Sequence, residues 1–180
     1  MIDIDFVAGF DSPSFFQNAT EHFIKRSGLE QRFAIIQSTY LEGCPDMYFD
    51  EALWKRLVEF LGSMSPGGWV SVVDDFWNPE AKGLALADYI SSWNQLPKDD
   101  RKPPPFVMVR DNGSLKFLMV TEYWKNVGGP YPYADSYTYS VFSNLDLSGD
   151  IRSFLSKSPE AAGWRIASEV LQPILGIHRP

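Results

Sequence analysis

The sequence is poor in the side chains on which redox chemistry and many catalytic sites depend. Its 180 residues include one cysteine and two histidines. A single cysteine excludes a disulfide within the chain, which agrees with a reducing compartment. Cys44 lies close to Glu42 and Asp46, and these acidic neighbours disfavour the reactive thiolate. The sequence therefore predicts an inert thiol.

Long apolar runs and a leader pattern are also missing. No stretch approaches the ~20 apolar residues that a membrane-spanning helix needs. The first five residues are acidic and lack the basic and apolar regions of a signal peptide. These features predict a cytoplasmic protein with no membrane partner.

No linear catalytic or nucleotide-binding motif is present. The chain contains no G-x-S-x-G, P-loop, H-E-x-x-H or dinucleotide-binding glycine pattern. His22 and His178 stand without an accompanying motif, and a Ser–His or Cys–His pair would need one of them. We therefore predict no catalytic residue, no metal ligand and no cofactor, and we expect a protein that is not an enzyme.

Basic residues are scarce in the first part of the chain. The net charge is −7. Residues 1–100 hold 16 acids and 7 bases, a balance of −9, and residues 101–180 hold 7 acids and 9 bases, a balance of +2. Phosphate contacts need clustered Lys and Arg, so no direct nucleic-acid partner is expected. A basic protein partner fits the acidic half, although excess acid also serves solubility alone.

Apolar and aromatic residues, in contrast, are abundant, at 44% and 15% of the chain. That content predicts a folded core. Hairpins and late helices predict one α+β domain over residues 1–180, with a mainly antiparallel sheet, flanking helices and a proline-rich surface loop at about 96–105. Periodic patterns predict helices near 13–27, 51–61, 83–94, 148–156 and 159–171, and strands near 2–8, 32–40, 69–73, 106–110, 115–124 and 136–143.

An acidic pair with a nearby tryptophan is the first candidate site. Asp74 and Asp75 follow the apolar strand at 69–73, where carboxylates can bind Mg²⁺ or transfer protons. Neighbours in a strand point to opposite faces, so the two carboxylates are not expected to meet one ligand. With Phe76 and Trp77 they better fit a protein-binding edge, where a ring fills a pocket and acids pair with cations.

Two further regions are candidates for partner contact. The loop from Glu42 to Asp50 also contains Asp46, and the Gly- and Pro-rich linker before the 136–143 strand carries Tyr131 and Tyr133. The same part of the chain holds four more aromatic residues, Tyr123, Trp124, Tyr137 and Tyr139. Exposed, these rings would line a groove for a ligand. Their alternation is equally typical of a buried sheet face.

Four features together carry a resemblance to a known group of proteins. They are Gly67-Gly68-Trp69 at the start of a strand, Trp77 after the acidic pair, the Asn112-Gly113 hairpin turn, and Trp164 in a late predicted helix. A chain of this kind resembles bacterial immunity proteins of polymorphic toxin and type VI secretion systems, and in particular immunity protein family 52. The resemblance implies a cytoplasmic protein that binds one cognate toxin and blocks its active site or assembly. Such inhibitors of nuclease toxins are commonly acidic.

The leading hypothesis is therefore a protein that neutralises a basic toxin, with a nuclease as one candidate, by direct binding. Two alternatives stay open. One is a small hydrolase, which would need Asp74, Asp75 or Glu122 to converge in a pocket. The other is a structural or adaptor subunit, which would need a broad apolar face for association.

Overall fold

A computed structural model describes residues 18–29, 31–38, 51–75, 77–125, 135–157 and 164–166. Four α-helices and one 3-10 helix (Lys98–Asp100) lie in these ranges, and the α-helices are α1 (Asn18–Arg26), α2 (Glu51–Ser63), α3 (Leu86–Trp93) and α4 (Ser148–Ser156). The strands in these ranges are β1 (Gln31–Ser38), β2 (Trp69–Val73), β3 (Leu84–Ala85), β4 (Phe106–Asp111), β5 (Ser114–Lys125), β6 (Asp135–Ser143) and β7 (Trp164–Ile166).

The seven strands form one sheet in the order β3-β2-β4-β5-β6-β1-β7. Each pair of neighbouring strands is antiparallel. The predicted α+β class, with an antiparallel sheet and flanking helices, is confirmed.

The two faces of the sheet each support an apolar cluster. Because side chains alternate along a strand, Val107 and Val109 of β4 lie on one face, and Phe106 and Met108 lie on the other. The first face packs against α2, α3 and α4. The second face packs against α1, which contributes Phe23 and Ile24 to its cluster, and β4 is therefore buried on both sides.

Helix α2 follows its predicted pattern closely. Its buried side chains repeat at helical spacing, and they are Trp54, Leu57, Val58 and Leu61. Glu51 is the acid of the first turn, which suits the positive end of the helix dipole. The chain then turns through Gly67, whose φ of 83° is readily adopted by glycine, and enters β2.

The β4–β5 hairpin is also as predicted. Asn112 and Gly113 have φ angles of 49° and 78°, the left-handed conformation that a tight turn between two strands requires. Asp111 pairs with Ser114 across this turn. A register shift between Val109 and Arg110 gives the hairpin a bulge that the sequence pattern did not indicate.

Two of the predicted helices differ from the structure. The helix predicted from residue 83 begins at Leu86, because Leu84 and Ala85 instead pair with β2 as strand β3. The helix predicted over 159–171 is wrong at Trp164–Ile166, which forms strand β7 against β1. An apolar segment beside an open strand gains interstrand hydrogen bonds, and local helical spacing carries no information on that neighbour.

The proline-rich loop between α3 and β4 is held to the body of the protein by Arg101. Its guanidinium donates from Nη1 to Glu51 Oε2 at 3.1 Å, and from Nε and Nη2 to the Leu96 carbonyl oxygen. Pro104 is buried, whereas residues 94–100 are exposed. The first part of the loop therefore lies on the surface, and Arg101 fixes its second part. No helix in the described part of the chain is long and apolar enough to cross a membrane.

Candidate functional site

Residues 74–83 connect β2 to β3 at one edge of the described sheet, and we call this segment the edge loop. It contains three of the predicted contact residues, Asp74, Asp75 and Trp77, and all three are exposed. Phe76 lies outside the described residues. The structure therefore places these three residues together on one surface segment.

The edge loop is organised by two successive turns. The Trp77 backbone N–H donates to Asp75 Oδ1 at 3.0 Å, and the Glu80 N–H donates to Asn78 Oδ1 at 3.1 Å. Two backbone hydrogen bonds accompany them, from Asn78 N–H to the Asp75 carbonyl and from Ala81 N–H to the Asn78 carbonyl. Short polar side chains that accept from the backbone two residues later favour such turns.

The second half of the loop is fastened to the protein. Pro79 is buried, and Ala81 packs against the apolar cluster that contains Phe23. Gly83 approaches β2 so closely that a Cβ at this position would lie 3.0 Å from the Val72 carbonyl oxygen. Glu80 forms an ion pair with Arg26 of α1. The loop is thus joined to both the sheet and a helix.

Exposed apolar side chains occur in this loop and in the two strands that it joins. Trp77 is 70% exposed, Trp69 at the start of β2 is 55% exposed and Leu84 in β3 is 50% exposed. Leu84 pairs with Val72 and shares its face of the sheet, whereas Trp69, three positions before Val72, lies on the opposite face, so these two do not form one patch. Trp77 is therefore the exposed ring that the loop itself presents beside the acids.

Asp75 influences the ionisation of Asp74. Partial burial, and then the negative charge of Asp75, raise the pKa of Asp74. Burial, and then the charge of Asp74, raise the pKa of Tyr89 in α3 to about 12, and a hydrogen bond with Trp93 partly offsets this. Asp74 therefore lies close to α3. The argument that the two carboxylates point to opposite faces of a strand does not apply, because both lie beyond the end of β2 at Val73.

Within the described ranges, the acid pair has no further metal ligand beside it. Among the residues it describes, no group of three or more His, Cys, Asp or Glu side chains is placed to hold a metal ion. A divalent cation in a protein usually takes several oxygen ligands. His22, the histidine that lies within the described residues, is exposed on α1.

The remaining predicted residues divide into two groups. Five predicted contact residues lie outside the described ranges: Glu42, Asp46, Asp50, Tyr131 and Tyr133. Of the six second-half aromatics, Tyr139 is fully buried in the core, which confirms the packing alternative at that position. The side chains of Tyr123, Trp124, Tyr137 and Glu122 are outside the described part.

Sequence reasoning missed the exposure of Trp69 and Leu84 and the ion pair between Glu80 and Arg26. Trp69 was predicted in a strand and Leu84 in a helix, both as ordinary apolar residues, and the ion pair joins residues 54 positions apart. The available signal was that Trp69 and Leu84 each follow a glycine near the start of a predicted element, where burial is least assured. Nothing in the local sequence indicates the ion pair.

Comparison with known proteins gives no relative for this site. No protein-family model matches the chain, and neither the curated proteins nor the solved structures yielded a significant match. The site is therefore interpreted from its own geometry.

Proposed function

We propose that this chain is a binding protein that neutralises a basic bacterial toxin by direct contact, with the edge loop as part of the contact surface. The observation that carries the proposal is Trp77, which is 70% exposed on a loop of defined hydrogen bonds beside Asp74 and Asp75. The resemblance to immunity proteins supplies the class of partner.

The arrangement suits protein recognition for two physical reasons. An indole offers ~150–250 Å² of apolar area, so its burial in a partner's pocket contributes strongly to affinity, and tryptophan is enriched among dominant interface residues. Asp74 and Asp75 lie near it and supply negative charge for Lys or Arg of the partner. The loop therefore combines an apolar anchor with electrostatic selection.

Charge on a larger scale also supports a basic partner. The edge loop belongs to the half of the chain whose balance is −9. Complementary charge accelerates association and excludes acidic competitors. We propose the cytoplasm as the place of this action, as the resemblance to immunity proteins implies.

The proposal is tested by neutralisation of an identified toxin. The wild-type chain serves as bait in a lysate of its own host, and the captured protein is co-expressed with it in a test bacterium. We expect a basic protein that stops growth when expressed alone and is tolerated when the chain is present. A captured protein without toxicity, or toxicity that the chain does not relieve, would overturn the proposal.

The contact surface is tested with matched variants of the same bait. Trp77→Ala and Asp75→Asn should weaken both capture and growth rescue. Leu145→Ala is the control, because Leu145 is 54% exposed but lies outside the edge loop. Raising salt from about 0.05 to 0.5 M should slow association through screening. Equal loss in the control, or association that salt does not change, would remove the edge loop or the electrostatic mechanism, respectively.

A further inference from the structure

We infer that Arg26 and Glu80 are positioning residues, whose ion pair holds the edge loop in the conformation that presents Trp77. The pair joins α1 to the fourth residue from the end of the loop. Neither residue was part of the predicted contact set. The inference concerns the loop that the proposed function uses, but it is tested on the free protein.

The edge loop lies between helices from both faces of the sheet, because its flanking strands β2 and β3 contact α3 and the loop itself pairs with α1. At its start, Asp74 lies close enough to Tyr89 of α3 to raise the pKa of that phenol. Tyr89 belongs to the apolar cluster of the first face. Near its end, Glu80 pairs with Arg26 of α1, the helix that packs on the second face. Trp77 therefore lies between the part of the loop near α3 and the part that is paired with α1.

Near its end, the edge loop is attached on two sides, to the sheet and to α1. On one side, the loop closes through buried Pro79 and through Gly83, which is pressed against the Val72 carbonyl. On the other side, Ala81 packs against the apolar cluster that contains Phe23, and the ion pair with Arg26 joins side chains that are 50% and 57% exposed. The orientation of α1 itself is secure, since Phe23 and Ile24 are buried.

The Arg26 side chain is held in place by a contact within α1. Its guanidinium carbon lies 5.8 Å from the ring centroid of Phe23, and that ring is buried. A cation above an aromatic ring gains a modest attraction, and the stacking limits the freedom of the long side chain. Glu80, in turn, donates its backbone N–H to Asn78, which follows Trp77 directly. A displacement of Glu80 is therefore transmitted to the turn that carries the indole.

An exposed ion pair contributes little to global stability, so its effect should be local. Opening of a small surface segment has its own free energy, separate from that of global unfolding. The expected consequence of losing this pair is a less ordered loop on an unchanged fold.

The test compares amide solvent exchange in the free protein by NMR. The reporters are the Trp77 and Asn78 amides, which both donate hydrogen bonds inside the loop. Glu80→Gln should accelerate their exchange about two- to fivefold, the range expected for loss of a surface pair, with Tm unchanged within about one degree. Unchanged exchange at both amides overturns the inference.

Two further variants separate pairing from loss of charge. Glu59→Gln removes the same charge from an exposed glutamate of α2 and should leave the two amides at the wild-type rate. Arg26→Glu combined with Glu80→Arg reverses the pair and should restore slow exchange. Acceleration in Glu59→Gln, or no recovery in the reversed pair, shows a general charge effect and overturns the positioning role.

The partner then distinguishes this inference from the proposed function. If only the ordered loop binds, Glu80→Gln should raise Kd by the same factor by which it lowers the ordered fraction. If exchange responds as predicted but Trp77→Ala binds like the wild type, the pair positions the loop and the proposed contact surface is wrong.

Discussion

Four tryptophans have described side chains, and they fall into two pairs. Trp54 and Trp93 lie in α2 and α3, which cover the first face of the sheet and which we call the helical layer, and Trp69 and Trp77 lie at the edge of the sheet. Trp54 and Trp93 are 0% and 2% exposed, with ring centroids 5.0 Å apart. Trp69 and Trp77 are 55% and 70% exposed. Trp54 and Trp93 are enclosed by α2, α3 and the sheet. Trp69, in contrast, is the first residue of β2, and Trp77 lies in the edge loop that follows β2.

The difference shows that one residue type serves two physical purposes in this chain. In the helical layer, removing the indoles from water stabilises the fold, and Lys55 adds a cation 5.8 Å from the Trp93 ring centroid. At the edge, folding leaves most of the indole area of Trp77 in water. That area remains available for a second surface, and the neighbouring acids determine what charge the surface should carry.

The largest expected effect is on stability, and it is a difference between truncating a buried and an exposed tryptophan. Trp54→Ala should lower the free energy of unfolding by about 3–5 kcal/mol, because it leaves a cavity in the core. Trp77→Ala should change it by about 0.5 kcal/mol or less, as for most surface substitutions. Urea denaturation measures both. A large loss in Trp77→Ala would show that the edge indole is structural.

The next effect is on affinity for the captured partner. Trp77→Ala should raise Kd about 30- to 1000-fold, equivalent to about 2–4 kcal/mol, if Trp77 is a dominant interface residue. Leu96→Ala, at an exposed apolar residue of the α3–β4 loop, should leave Kd within about twofold. Titration calorimetry measures both constants, and similar losses in the two variants would contradict a contact centred on the edge.

A smaller effect on stability should follow from loss of the ion pair between Glu51 of α2 and Arg101 of the α3–β4 loop. Burial alone would raise the pKa of Glu51, but the hydrogen bonds and charges of Lys55 and Arg101 outweigh it and hold that pKa below its ordinary value. A lowered folded pKa means that its stabilisation is full above the unfolded pKa and is lost as pH falls through the folded pKa. Glu51→Gln should therefore lower stability by about 1 kcal/mol or less at pH 7. In denaturation at pH 7 and pH 3, a deficit that persists unchanged at pH 3 would contradict this assignment.

The smallest effect on stability should have the opposite sign, and it should come from Asp74 in the edge loop. Burial and Asp75 raise the pKa of Asp74, so its ionisation disfavours the folded state as pH rises through and above the unfolded pKa. Asp74→Asn should thus raise Tm by about one degree at pH 7 and have no such effect at pH 3. The same variant should weaken partner binding. A decrease in Tm at pH 7 would show that the carboxylate stabilises the loop.

Much of the fold was predictable, because local patterns and burial agree over most elements. Trp54, Leu57 and Leu61 repeat at the helical period, and Asn112-Gly113 suits a tight turn, so α2 and the β4–β5 hairpin follow directly. The helix prediction failed at Trp164–Ile166, because the conformation of this segment depends on pairing with β1, more than 120 residues earlier. Asp74 and Asp75 were identified as a candidate pair and the end of β2 at Val73 was predicted, but the alternation of strand side chains was applied to two residues that lie beyond that strand.

By itself, the sequence determined the α+β class, the acidic first half and the candidate status of Asp74, Asp75 and Trp77. These follow from periodicity, charge and residue type, which are local properties. Only the tertiary structure decided that Tyr139 is enclosed while Trp69 is exposed, and that Arg26 reaches Glu80. Burial and ion pairing depend on which distant segments cover a side chain, and that is set by the order of strands in the sheet.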